Sequence, residues 1–317
     1  MLLDLSGLDF PATSEQLFGR PGRLAVEIGF GDGWFLSHLA RRHPDWNLVG
    51  ADLSPGSVAR AFRRMRRNAV RNVRLFRGNA QFVLRNVIPP RALHRVYVNY
   101  PDPWPKKRHH KKRLLHTPFL HMLSTRLEPG GLVLFTTDHA QYYADVLETA
   151  EKTGLFAVAE ATPPEAVLRT KYARKWHARD LRIWHARIEK TGEAKGSFPP
   201  NVTRLRAMHH ALLTGTLPQC DEFESFVHRF KGGQVLFLDA MRSVGAPGLV
   251  FTVRIEEEDL TQDVLIDARP ARKVPADVIV RVTRFGVPLP TLGTKEAVHA
   301  MAQWLASRGM TVLETYY

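Results

Sequence analysis

Short apolar runs rich in Val, Leu and Ile alternate with longer segments of helical periodicity over the first two thirds of the chain. The short runs predict strands at 24–28, 47–51, 73–76, 95–99 and 132–136. The longer segments predict helices at 34–42, 57–69, 80–87, 114–127 and 141–152. Strands that are apolar on both faces are typical of a parallel sheet covered by helices.

Two further apolar runs, at 156–160 and 181–188, have no helix of comparable length between them. We expect them to close the sheet with a hairpin-like antiparallel pair. The seven strands together predict a doubly wound α/β fold with a mostly parallel sheet.

The pattern changes after a linker-like stretch at 191–201, which contains glycines and two consecutive prolines. Beyond it the periodicity predicts helices at 202–214 and 295–308, and strands at 235–238, 248–255, 263–266, 278–284 and 311–315. Short spacings between strands favour a smaller antiparallel α+β module. The sequence therefore predicts one domain at 1–195 and an accessory domain at 202–317.

The formal net charge of +14 and the isoelectric point near 10.2 favour an anionic partner. No run approaches the ~18 to 20 apolar residues of a membrane-spanning helix, and the first residues do not resemble a secretory signal. We therefore expect a cytoplasmic protein that binds nucleic acid and not a membrane. The single cysteine excludes intrachain disulfides and thiolate metal clusters. The fourteen histidines lack ligand spacing, so we predict no metal site.

A glycine-rich loop formed by Gly29, Gly31 and Gly33 follows the first predicted strand. Glycines let a backbone approach a ligand closely, although dinucleotide enzymes place a similar loop here and a plain strand-to-helix turn is the simplest alternative. The neighbouring acids Glu27 and Asp32 would oppose a pyrophosphate. They suit a ligand that carries an amino group and a sulfonium, which points to S-adenosylmethionine (SAM).

Two later strand ends can complete a nucleoside pocket. Asp52 can accept hydrogen bonds from both ribose hydroxyls of SAM, and equally from those of NAD. Asn79 and Ala80 follow the third strand and are predicted to contact the adenine. A helix N-cap role fits the position of Asn79 equally well.

Asp102 lies between two prolines directly after the fourth predicted strand. The prolines restrict its backbone, and its carboxylate can accept hydrogen bonds from N1–H and the exocyclic amine of guanine. A turn role for Asp102 is the alternative. Trp104 is predicted to stack on a base, unless it packs beneath the loop.

A basic run at 106–113, which begins with Lys106, follows this segment. It is predicted to bind phosphates, with a solvated loop as the alternative. Eight arginines between 60 and 77 form a second basic stretch and predict a separate phosphate track. Asp138, after the fifth strand, can face Asp102 across the pocket, and Thr170 lies in a loop that can also reach it.

Residues 25–190 resemble the bacterial tRNA (guanine-N7)-methyltransferase family, which has a class I SAM-dependent fold. The resemblance lies in the segments 27–33, 101–113, 137–138 and 170–172, and the segment 101–113 is the most specific of them. It implies methyl transfer from SAM to N7 of a guanosine in the tRNA variable loop. It further implies that the three loop glycines, Asp52, Asn79 and Ala80 hold SAM, that Asp102 is the essential carboxylate, and that Asp138 and Thr170 contact the base.

The chain departs from the family pattern at Ala173, where the family usually has Glu. Either Glu160, Glu165 or Asp180 substitutes for it, or base recognition is looser. Three other functions stay open: SAM-dependent methylation of another RNA or protein, a catalytically silent RNA-binding protein, and an NAD-dependent oxidoreductase. For residues 202–317 we expect a tRNA-gripping role through basic residues such as Arg269 and Arg281, with a stabilising or dimerising module as the alternative.

Overall fold

The computed structural model describes residues 1–5, 7–170, 173, 182–196, 198–219, 222–245, 247–272 and 274–316. The chain divides into two units, one formed by residues 1–4 and 10–200 and the other by residues 5–9 and 201–317.

A seven-stranded sheet forms the centre of the first unit. Its strands are β1 (Leu24–Ile28), β2 (Asn47–Asp52), β3 (Val73–Arg77), β4 (Leu93–Asn99), β5 (Leu127–Thr137), β6 (Phe156–Glu160) and β7 (Trp184–Lys190). They lie in the order β3-β2-β1-β4-β5-β7-β6, with β7 antiparallel to both of its neighbours and the other pairs parallel. The predicted doubly wound, mostly parallel α/β fold is confirmed.

Helices cover this sheet. They are α1 (Ser14–Phe18), α2 (Trp34–Arg42), α3 (Pro55–Arg67), α4 (Ala80–Phe82), α5 (Thr117–Arg126), α6 (Ala140–Lys152) and α7 (Glu165–Leu168). A π-helical turn, Val83–Val87, continues α4, and a 3₁₀ helix, Lys107–Lys112, precedes α5. No helix among the described residues is long and apolar enough to cross a membrane.

The start of α5 differs from the predicted helix at 114–127. The helix begins at Thr117 because His116 is its N-cap, where the imidazole Nδ1 accepts a hydrogen bond from the Phe119 N–H at 3.3 Å. Pro118 occupies the first turn, where its missing N–H costs nothing.

The second unit is an antiparallel sheet with one long helix. Its elements are β8 (His210–Thr214), β9 (Phe226–Phe230), β10 (Gly233–Arg242), β11 (Leu249–Glu257), β12 (Thr261–Pro270), β13 (Asp277–Val282), α8 (Leu292–Ala306) and β14 (Thr311–Tyr316). The strand order is β14-β8-β13-β12-β11-β10-β9. The buried side of α8, including Met301 and Leu305, joins Phe237 and Phe251 of the sheet in one apolar core.

A buried carboxylate fixes the start of α8. Glu257 accepts hydrogen bonds from the Thr291 hydroxyl at 2.6 Å and from the Gly293 N–H at 3.2 Å. Burial raises the pKa of Glu257, and these two hydrogen bonds oppose that shift. A negative charge on Glu257 also interacts favourably with the dipole of α8, because it lies near the helix N-terminus.

The predicted helix at 202–214 is wrong. Residues 210–214 form β8, which pairs with both β13 and β14. Within it Ala211 and Leu213 are fully buried while their neighbours are partly exposed, which is the period of two expected for a strand. The sequence prediction also missed β9, an edge strand whose exposed residues are Val227 and Arg229.

Packing between α2 and α3 depends on Gly33, the N-cap residue of α2. A Cβ atom at Gly33 would lie 2.6 Å from the Ala61 Cβ and 2.9 Å from its Cα. The φ angle of Gly33 is +72°, which only glycine adopts without strain. Gly19, which ends α1, has the same φ angle but nothing within 4 Å of the corresponding Cβ position.

We predict that Gly33→Ala lowers the free energy of unfolding more than Gly19→Ala does. Both changes strain the backbone, at a cost of about 1–3 kcal/mol. Only Gly33→Ala overpacks a helix interface, which adds about 1–3 kcal/mol. Urea unfolding of both variants measures the difference, and equal losses would contradict this account of the α2–α3 contact.

Candidate active site

The strand order brings four sequence-predicted segments to one edge of the first sheet. β2, β1, β4 and β5 are consecutive neighbours and parallel, so their carboxyl ends lie side by side. The chain connections reverse direction between β1 and β4, which opens a crevice at this edge. The glycine loop follows β1, and the Asp102 segment follows β4.

The glycine loop presents an open backbone surface. Gly29 and Gly31 have φ angles of +74° and +58°, and a Cβ atom at either position would meet nothing within 4 Å. Asp52 shapes the loop, because its Oδ2 accepts a hydrogen bond from the Gly31 N–H at 2.9 Å and its Oδ1 accepts one from the Ser54 N–H at 2.8 Å. Each carboxylate oxygen keeps a further lone pair for a ligand hydroxyl.

Glu27 carries a buried carboxyl group at the base of this loop. It is 3% exposed, its Oε1 lies 3.5 Å from the Asn99 Nδ2, and its Oε2 has no hydrogen-bond partner among the described residues. Burial raises the pKa of Glu27 to about 8, the Asn99 hydrogen bond opposes this shift, and the charges of Asp32 and Asp52 add to it. A bound cation would satisfy this group.

Asp32 does not have the role that its position in the sequence suggested. Its Oδ2 forms an ion pair of 2.7 Å with Arg64, and its Oδ1 accepts a hydrogen bond from the Trp34 N–H. Its charge is therefore balanced within the protein. Arg64, from the predicted phosphate track, is engaged by the same ion pair.

Asn79 is the N-cap of α4, as the alternative interpretation held. Its Oδ1 accepts a hydrogen bond from the Gln81 N–H at 2.9 Å. The side chain is exposed at the end of β3, and the adjacent Ala80 is buried.

The Asp102 segment leaves β4 under tight constraint. Tyr100 and Trp104, which flank it, have φ angles of +52° and +43°, which non-glycine residues rarely adopt. The Asp102 side chain itself is exposed. Trp104 has a partner on one face, since the Lys112 Nζ lies 4.9 Å from its ring centroid, and His109 meets it at 5.8 Å in an edge-on contact.

Arg113 anchors this segment to the body of the unit. Its Nε donates a hydrogen bond to the Pro103 carbonyl at 2.8 Å, its Nη1 pairs with Asp145 on α6, and its guanidinium lies 4.8 Å from the Tyr142 ring centroid. Only 6% of Arg113 is exposed. The prediction that the whole run 106–113 binds phosphate is therefore wrong for its last residue.

The other cations of this run are available to solvent. Lys106, Lys107, Arg108, Lys111 and Lys112 are all exposed. The sequence signal that separates Arg113 from them is the apolar pair Leu114-Leu115 directly after it, where the chain returns to the core.

Asp138 lies beyond the end of β5 and acts electrostatically on Tyr100. Burial raises the pKa of the Tyr100 phenol, and the charge of Asp138 raises it further. Thr170 is engaged locally: its hydroxyl donates to the Val167 carbonyl at 2.9 Å and accepts from the Ala173 N–H at 3.3 Å. Lys171 and Tyr172 of the same motif lie outside the described residues.

The position of the expected family Glu is filled by a buried methyl group, since Ala173 is 0% exposed. Of the three suggested substitutes, Glu160 is exposed at the end of β6, Glu165 pairs with Arg169 on α7, and Asp180 lies outside the described residues. Among the described residues, no group of His, Cys, Asp and Glu side chains could hold a metal ion.

The excess of basic over acidic residues lies within one part of the sequence. Residues 1–200 contain 32 Lys and Arg against 18 Asp and Glu, whereas residues 201–317 contain 13 of each. Arg269 and Arg281 both pair with the buried Asp267, at 2.8 and 3.2 Å. The C-terminal module therefore contributes no net positive charge, although the sequence analysis expected its basic residues to grip tRNA.

Comparisons with known proteins match this chain to methyltransferases. A family model described as "Putative methyltransferase" matches residues 22–186. The tRNA (guanine-N(7)-)-methyltransferase of Thermus thermophilus is 46% identical over 97% of this chain and 96% of its own length. The enzyme of the same name from Deinococcus radiodurans is 36% identical over the full length of both chains.

A third relative matches a smaller share of the chain. The Thermotoga maritima protein of the same name is 40% identical over 70% of this chain and 71% of its own length. The Deinococcus match includes residues 201–317 and the Thermus match includes most of them, because the two matches cover 100% and 97% of the chain. This protein belongs to the tRNA (guanine-N7)-methyltransferase family.

Proposed function

We propose that this enzyme transfers a methyl group from SAM to N7 of a guanosine in the variable loop of tRNA. The observation that supports it most directly is the placement of an open glycine loop and the Asp102 segment after the adjacent parallel strands β1 and β4. The contact between Asn99 and Glu27 links the two strands just before both segments. The names of the relatives supply the substrate class.

The residues around the glycine loop fit SAM. The unpartnered oxygen of Glu27 suits the amino group, the open backbone at Gly29 and Gly31 admits the ligand, and Asp52 has lone pairs for the ribose. Asn79 and Ala80 are proposed to hold the adenine, and Gly33 ends the loop. Bound SAM supplies an electrophilic methyl group for in-line displacement.

The base is proposed to bind at Asp102, with Asp138, Thr170 and Trp104 as further contacts. N7 of guanine already has a lone pair, so no general base has to remove a proton. The enzyme therefore contributes mainly proximity and orientation. The methylated base is cationic, so a fixed carboxylate at Asp102 stabilises the transition state more than the ground state.

The exposed cations of the 106–113 run, beginning with Lys106, are proposed to bind tRNA phosphates. We propose residues 1–195 as the catalytic domain and residues 202–317 as an accessory domain. Incubation of the full chain with methyl-labelled SAM and bulk tRNA, followed by nucleoside mapping, tests the proposal. Label in any product other than N7-methylguanosine would contradict it.

Asp102→Ala is predicted to lower turnover by about 100-fold or more, a typical loss when a transition-state contact is removed. SAM affinity, measured by calorimetry, should be unchanged because the donor site does not use this side chain. Asp45→Ala is the matched control, since Asp45 is an exposed carboxylate in a turn. Wild-type turnover in Asp102→Ala would show that the carboxylate is misassigned.

SAM binding at pH 6.5 is predicted to release close to one proton. Free Glu27, with a pKa of about 8, is protonated at this pH. An α-amino group, with an ordinary pKa of about 7.7–8.0, is charged there and favours the ionised carboxylate. Calorimetry in two buffers of different ionisation enthalpy measures the release, which Glu27→Gln should abolish. The same release from both proteins would exclude Glu27 as its source.

Replacement of Lys107, Arg108 and Lys111 by Ala is predicted to weaken tRNA binding by roughly tenfold or more and to reduce the salt slope of log K by up to about 3. The matched control replaces Arg229, Lys231 and Arg272, which are exposed cations of the electrically balanced C-terminal region. Titrations at several salt concentrations measure both effects. An equal loss in the control would contradict the assignment of the phosphate contacts to the 106–113 run.

A further inference from the structure

Two strained aromatic residues enclose the Asp102 segment. Tyr100 and Trp104 are the residues directly outside Pro101 and Pro103, and both have left-handed backbones. Such conformations persist only where the surrounding structure imposes them, and they cluster at ligand sites. The Lys112 and His109 contacts account for the position of the Trp104 ring. The position of the Tyr100 side chain needs a separate explanation.

The Tyr100 hydroxyl has no partner that explains its burial. The residue packs against the apolar core around Phe35 and Leu36, and its backbone N–H donates to the Thr136 carbonyl at 2.8 Å. Its phenolic oxygen is enclosed, yet it forms no hydrogen bond with any described residue. A buried, unsatisfied hydroxyl is costly, and a phenylalanine here would avoid that cost.

The electrostatic surroundings keep this hydroxyl protonated. Burial is the larger cause of the raised pKa of Tyr100, and the negative charge of Asp138 is the second. A phenol that retains its proton at neutral pH is a hydrogen-bond donor. The site therefore contains an unused hydrogen-bond donor that is close enough to Asp138 to feel its charge.

Guanine has the complementary set of groups. Its N1–H and exocyclic amine can donate hydrogen bonds to the carboxylates of Asp102 and Asp138. Its O6 and N7 are hydrogen-bond acceptors. N7 must stay free because its lone pair attacks the methyl group. O6 is left as the acceptor that requires a donor from the protein.

We propose that the Tyr100 hydroxyl donates a hydrogen bond to O6 of the acceptor guanine. The inference rests on the proposed function and names a specificity residue for it. Because the hydroxyl is enclosed in the free protein, the segment 101–105 must shift when the base docks. The strained residues at its two ends can release their strain in that movement.

The test compares Tyr100→Phe with wild type on two substrates, using the full chain. One substrate is a tRNA with guanosine at the mapped acceptor position. The other carries 6-thioguanosine there, which replaces O6 with a weaker hydrogen-bond acceptor. Equilibrium tRNA affinity without methyl donor and single-turnover methylation are both measured.

Tyr100→Phe is expected to lower kcat/KM on the guanosine tRNA by about tenfold, as for loss of one buried hydrogen bond to substrate. The thio substitution should weaken binding and turnover of wild type by a similar factor and add little in the variant, because both changes remove the same bond. If the losses caused by Tyr100→Phe and by the thio substitution multiply when combined, the proposal is overturned. It is also overturned if kcat/KM of Tyr100→Phe on the guanosine tRNA stays within about twofold of wild type.

Tyr97→Phe is the matched control. It also removes a phenolic hydroxyl, but from a residue within β4. Tyr97 is 5% exposed and packs on Phe35 inside the core. It should respond to the thio substitution as wild type does. Failure of wild type to methylate guanosine N7 would refute the proposed function itself, whereas a normal wild type with an unaffected Tyr100→Phe would refute only the role of Tyr100.

Discussion

The parallel pairing of β1 with β4 is the constraint on which the rest of the site depends. It places the carboxyl ends of two strands, separated by more than sixty residues in sequence, side by side. One strand leads into the glycine loop and the other into the Asp102 segment. A tRNA (guanine-N7)-methyltransferase has to hold its methyl donor and a guanine base within reach of each other, and we propose that this pairing supplies adjacent supports for both. The Asn99–Glu27 contact crosses the pair at its end.

The two supports are held in different ways. On the proposed donor side, Asp52 accepts a hydrogen bond from the Gly31 backbone, and Glu27 is buried with one oxygen that has no partner among the described residues. That group destabilises the free protein progressively as pH rises from its unfolded pKa of 4.5 towards about 8, because the unfolded state loses its proton first. A cationic ligand reverses this balance. The acceptor side depends on Arg113, which ties the Pro103 carbonyl to Asp145.

Local sequence patterns were sufficient to predict most of the first sheet and the helices that cover it. Its buried strands are continuous apolar runs, and the helices have a clear hydrophobic periodicity. They failed for residues 202–214, where the alternation of Ala211 and Leu213 was hidden within a segment that also fits a helix. The candidate site was predicted from the strand ends together with the resemblance of segments 27–33 and 101–113 to the family. The ion pairs of Asp32 with Arg64 and of Arg113 with Asp145 could not be predicted, because each joins residues that are 32 positions apart in the sequence. Tyr100 carried no signal, since only its backbone angle and its unpartnered hydroxyl distinguish it.

The two parts of the chain differ in net charge. All of the excess positive charge falls within residues 1–200, and Arg269 and Arg281 share an ion pair with the buried Asp267. Cations that contact phosphates release counterions, so we propose that most of the salt-dependent part of tRNA affinity comes from the first 200 residues. The C-terminal unit has its own apolar core and its own capped helix, and it is matched in two relatives at nearly full length. Because residues 201–317 carry no net charge, we expect any contribution that they make to tRNA binding to depend less on salt than that of residues 1–200.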